Sequence, residues 1–163
     1  MRMREDEGMN EAQRLAGELR EVHEGNPWHG PSTKEILSGI SHATAAAKPK
    51  WGSHSIWEMV IHLTTWMDIT RRRLEGAVVE ATPEEDWKSV GDASDESWSN
   101  TLTELDHAER KLEEMISRFS DADLQKPAPG KDHSVLFMLE GVVYHSVYHG
   151  AQISIIRKSI ENW

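Results

Sequence analysis

Three histidines carry the chemistry most readily read from this chain. His145 and His149 stand four apart, so on a helix they project from one face. Their neighbours at helical spacing are Met138, Val142, Ile153 and Ile156, all apolar. His62 lies among Met59, Trp66 and Ile69 in the apolar stripe of a separate helical segment. The pattern predicts that all three imidazoles point into a core. A buried imidazole is costly unless it is hydrogen-bonded or ligates a metal. A single inward histidine is most often bonded to a carbonyl, but a pair at i,i+4 facing a third converges nitrogens on one point. Three neutral imidazoles leave a coordination position open, which is the arrangement of a catalytic rather than a structural ion. Such an ion can acidify water toward a pKa of about 7 or hold a thiol as thiolate. Because protons compete for the same nitrogens, binding is expected to fail as pH drops below about 6.5.

Rival metal motifs are absent. A zincin needs a glutamate beside its first ligand, and the run here is His145-Ser-Val-Tyr-His149. A di-iron bundle needs two Glu-x-x-His motifs; only Glu104-Leu-Asp-His107 fits, and His107 lies about 200° round the helix from Leu105, toward water. Glu58 stands one turn before His62, but a capping role accounts for it. His23, His29, His42, His54 and His133 fall at helix ends or in loops and read as surface residues. Tyr144 and Tyr148 read as core-lining. No catalytic base is identifiable beside the ligands.

Four long segments of period 3.6 must position these residues: Met9 to Glu24, Ile56 to Leu74, Trp98 to Phe119 and Val135 to Ile160. The last is apolar almost all round in its first half, which predicts burial on most sides. Ser55-Ile-Trp-Glu58 and Ser32-Thr-Lys-Glu35 have capping-box form, the latter opening a short helix that ends near Gly39. Ser120-Asp-Ala-Asp123 begins a turn closed by Pro127, Pro129 and Gly130. No long period-two run appears. The expected fold is an all-α four-helix bundle with one short extra helix.

A chain of 163 residues fits a single domain, residues 1–163, with 1–8 read as a flexible tail. There is no cysteine, so thiol chemistry would need a diffusible thiol, and a reducing cytoplasm is the expected setting. The net charge of -10 disfavours nucleic acid as a partner. Gly76 to Gln125 carries 14 acidic and 4 basic residues and reads as a solvated outer face. No apolar run could span a membrane, and no signal peptide is visible. Seven tryptophans are more than one small core readily hides, which predicts a homodimer.

Three stretches together resemble the DinB-like (DinB/YfiT-like) metal-binding four-helix bundles. They are Trp28-His-Gly-Pro-Ser32 with Lys34-Glu-Ile-Leu37; His54-Ser-Ile-Trp-Glu-Met-Val-Ile-His62 with Trp66; and His145-Ser-Val-Tyr-His149-Gly-Ala-Gln-Ile153 with Arg157. The Asp121-Ala-Asp-Leu124 turn extends the likeness from Met9 onward. The resemblance implies a divalent ion, zinc or nickel and sometimes manganese or iron, on the matching positions His62, His145 and His149. It implies thiol transfer to, or hydrolysis of, a small molecule in stress or detoxification, with a low-molecular-weight thiol as co-substrate. The alternative is a stress-response protein that holds a metal without turnover. Dimers are common in the group. One departure is the order Gly150-Ala151-Gln152 after His149, where Ala151 is expected to sit at a helix contact.

Overall fold

The computed structural model describes residues 9–52 and 54–161; the reading of residues 1–8 as a tail lies outside them. Four long helices form the frame: α1 (Glu11–Glu24), α4 (Ile56–Leu74), α6 (Asp95–Ile116) and α8 (Val135–Glu161). Four short ones punctuate the connections: α2 (Thr33–Leu37), α3 (His42–Ala46), α5 (Pro83–Asp86) and α7 (Asp121–Leu124). No strand occurs among the described residues, only an isolated bridge between Pro127 and Ser134. The fold is all-α, as the periodicity predicts.

Capping chemistry sets where the helices begin. Ser55 accepts from the Glu58 amide while the Glu58 carboxylate accepts from the Ser55 amide at 2.8 Å, satisfying two free donors of the first turn. Ser32 and Glu35 do the same for α2, and Asn10 and Gln13 for α1. Asn10 moves the start of α1 to Glu11, two residues later than the apolar stripe indicates. Ser94 caps α6 through the Ser97 amide, so that helix begins at Asp95 rather than Trp98 and ends at Ile116. Its first turn is acidic and polar, which favours a helix N-terminus but carries no hydrophobic periodicity.

Each of α1 and α4 packs on both α6 and α8, whereas α1 and α4 lie diagonally across the bundle, as do α6 and α8. Leu15, Leu19, Ile56, Leu63, Leu105, Leu112, Ile116, Leu139 and Ile153 are fully buried at the centre. Each such side chain contributes about 1.5–3 kcal/mol by leaving water. The buried indoles keep their N–H groups satisfied: Trp57 donates to Thr101 Oγ1 and Trp98 to the Ile40 carbonyl. Arg157 donates to the carbonyls of Ile36 and Ser38, tying α8 to the end of α2.

Two expectations about α8 are overturned. The helix is not buried on most sides, because Phe137, Tyr144, Tyr148 and Ile155 are all more than half exposed. Tyr144 and Tyr148 therefore do not line the core. The small residue at the helix contact is also one position earlier than expected: Gly150, not Ala151, is buried, against Ile36 of α2, where a Cβ would stand 3.5 Å from its Cδ1, while Ala151 faces outward.

Candidate metal centre

The bundle places α4 beside α8, and this pairing brings the three predicted histidines together. Nitrogens of His62, His145 and His149 all lie within 4.8 Å of one another. His62 and His149 are buried, and His145 is partly open. The Nε2 atoms of His62 and His145 are 2.9 Å apart.

The outer nitrogens are held in place. His62 Nδ1 donates to the Asp86 carbonyl at 2.8 Å, and His149 Nδ1 donates to Gln152 Oε1 at 2.6 Å. A neutral imidazole with its proton on Nδ1 has a bare lone pair on Nε2. Both rings thus turn an acceptor nitrogen toward the cluster, and an acceptor behind each ring is the usual support of a metal-bound histidine. Burial, reinforced by the neighbouring His149 and His62, pushes His145 down to about 4. Burial likewise lowers His149. Neutral rings are what a cation needs. The donor set therefore fits a divalent ion that prefers nitrogen ligands.

A segment read from sequence as solvated acidic surface closes one side of the cluster. Trp87, directly after α5, stacks on His62 with ring centroids 4.0 Å apart and planes 4° from parallel. Its other face stacks on His54 at 3.6 Å, so His54 belongs to the wall of the site rather than to open surface. Asp86 Oδ1 accepts from Trp66 Nε1 at 2.7 Å and lies 3.2 Å from His62 Nδ1. The signal available in the sequence was the Thr82-Pro-Glu-Glu85 cap, which opens α5 and delivers Asp86 and Trp87 together.

A cavity of about 330 Å³ opens beside the triad, lined by His62, Trp66, Thr70, Arg73 and Asp86 on one side and Met138, Gly141, Val142 and His145 on the other. Glu58 takes no part in the cluster. Its carboxylate serves the α4 cap and an ion pair with Lys48 at 3.1 Å. Although burial opposes it, the Ser55 amide and Lys48 hold Glu58 below the usual carboxylate range.

His23 corrects the sequence reading. It is buried between α1 and α6, with Nε2 2.7 Å from Asp106 Oδ1, and burial lowers its proton affinity. His29 and His107 are exposed, and His42 and His133 half-exposed, as surface residues should be.

The molecule is thus a helical bundle with an inward histidine triad shared by two adjacent helices. A family model of the DinB superfamily matches residues 28–153, which include all three histidines, the whole of α4 and most of α8. The chain belongs to the DinB superfamily. A search of curated proteins finds no match.

Proposed function

We propose that the protein binds one divalent ion, zinc or nickel, through His62, His145 and His149, and uses it to act on a small molecule. The ion would supply Lewis acidity and lower the proton affinity of a water or thiol that reaches it. Imidazole donors suit zinc, nickel and iron better than the oxygen-seeking ions, which leaves manganese the poorest match. The observation that carries the reading is the pairing of anchored, inward-facing imidazoles with an adjoining cavity. A metal store would need only the nitrogens. Here Asp86, Thr70 and Arg73 line the adjoining space. A polar set of this kind favours an enzyme over a passive metal carrier.

Within that reading, the protein's own groups have separate tasks. Gln152 and the Asp86 backbone orient His149 and His62. Trp87 and His54 shield the back of His62 from water. Asp86 is the carboxylate lining the cavity, so it is the group placed to accept a proton from a substrate. With no cysteine in the chain, thiol transfer requires a low-molecular-weight thiol from solution. The described residues include no helix long and apolar enough to cross a membrane. A cytoplasmic site of action fits that thiol chemistry.

The test is to load the protein with cobalt(II) and titrate it with a low-molecular-weight thiol. A new sulfur-to-cobalt absorption band supports thiol transfer. Intact cobalt binding with no such band removes the thiol reaction and leaves hydrolysis.

We also propose that the protein is a homodimer joined through α8. The exposed Phe137, Gly141, Tyr144, Tyr148, Ala151 and Ile155 repeat at alternating spacings of four and three, the seam of a helix pair. The stripe reads alike in both directions about Ser146. An antiparallel copy would set Phe137 against Ile155, Gly141 against Ala151, and Tyr144 against Tyr148. Self-complementarity of this kind is what a two-fold interface requires. Glu140 is the sole charged residue between Val135 and Ile155, so a chain of net charge -10 meets its copy there with least repulsion.

A further inference from the structure

Four residues of the cavity come from one stripe of α4: His62, Trp66, Thr70 and Arg73, spaced four, four and three apart. The stripe runs from a metal-ligating nitrogen, across an indole and a hydroxyl, to a guanidinium. Arg73 is only 5 % exposed. Its Nε and Nη2 donate to the Val79 carbonyl at 3.0 and 2.8 Å, and Nη2 also reaches Glu80 Oε2 at 3.3 Å. Its Nη1 has no hydrogen bond among the described residues. Glu80 is itself 63 % exposed at the side chain, shared with Lys131, and a poor counter-ion for so buried a cation. That Nη1 is not sealed from solvent, and the open edge of a guanidinium matches a carboxylate best.

The rest of the cavity suits such a guest. The Arg73 guanidinium stands 5.8 Å from the Trp66 ring centroid, and the His145 ring stands 6.1 Å from the same indole. Trp66 is therefore the floor between the two ends. Met138 and Val142 of α8 form an apolar wall opposite. The cavity's carboxylate, Asp86, is engaged by the Trp66 indole N–H and lies against His62, at the histidine end.

We propose that this cavity takes a small organic acid, its carboxylate held by Arg73 and its apolar body laid along Trp66 toward the histidines. The proposal rests on reading the cavity as the substrate site, and it names the class of substrate.

The experiment measures binding of hexanoate and of hexanamide, the same shape without charge, by calorimetry on zinc-loaded and metal-free protein. The expected result is about tenfold or greater preference for hexanoate in both forms, the value of a charged hydrogen bond. Arg73→Gln should bind the two equally, and Arg73→Lys, which keeps the charge but not the fork, should fall between. Glu80→Gln, at an exposed side chain, keeps an acceptor oxygen and removes the competing charge, so it should bind hexanoate more tightly than the parent. Equal binding of both probes by the parent would overturn the proposal, as would an unchanged preference in Arg73→Gln or no gain in Glu80→Gln. A preference confined to zinc-loaded protein and abolished in His145→Ala would place the carboxylate on the ion and also overturn it. A preference that survives in a protein unable to bind zinc would sustain Arg73 while removing the metal reading.

Discussion

His62 and His145 point Nε2 at Nε2 across 2.9 Å, and the Asp86 carbonyl already takes the proton of His62 Nδ1. The shared proton between them must therefore come from His145. Two acceptor nitrogens that close on a single proton are a site in which a cation can replace it.

The acceptor behind His149 should matter almost as much as the ligand. Gln152→Leu removes the bond that fixes the His149 ring, with no change in the three imidazoles. Zinc affinity is expected to fall about 10–100-fold, the usual cost of losing such a support. Competition with a chromophoric chelator measures it, and an unchanged affinity would show that packing alone orients the ring.

Glu109 offers a pH test away from the histidine cluster. It is fully buried on α6, both carboxylate oxygens lack partners, and burial together with Glu113 pushes it up to about 7. Between pH 4.5 and about 7 the unfolded chain releases this proton while the folded chain keeps it. Its stabilising contribution is thus present below pH 4.5 and lost as pH rises through about 7. Glu109→Leu should gain roughly 3 kcal/mol more over the parent at about pH 8 than at about pH 4. Denaturant melts of both proteins across that range check it; parallel curves would refute it.

Gly17 sits inside α1, and a Cβ added there would meet nothing within 4 Å. Gly17→Ala should stabilise the fold by about 0.5–1 kcal/mol, by reducing the freedom of the unfolded chain. A thermal melt that shifts downward would mean the helix there is strained.

Much of this was legible in the sequence, and the reasons are particular. His62, His145 and His149 could be brought together because each interrupts an apolar stripe whose period fixes its direction. The second long helix was bounded correctly because Ser55 and Glu58 announce its start. Elsewhere the same logic misled. Tyr144 and Tyr148 look like core residues by type, yet their angular position on α8 turns them outward. His23 looked terminal, but α6 supplies Asp106 from 83 residues away to bury it. Asp86 and Trp87 were hidden inside a run of acidic residues, since only tertiary packing folds that loop back over His62.

The α8 seam predicts a charge-sensitive dimer. Tyr144→Glu or Ile155→Glu should give monomers at micromolar concentration where the parent gives dimers by light scattering. Both side chains are exposed in the single chain, so the fold should survive. A parent that scatters as a monomer, or variants that remain dimeric, would remove the interface.

The most direct test of the central claim is titration of metal-free protein with zinc at neutral pH, beside His145→Ala. The account predicts one ion per parent chain and an affinity lower by orders of magnitude in the variant, because two imidazoles cannot enclose the ion. Equal affinity at one ion per chain in both proteins would show that the metal lies elsewhere.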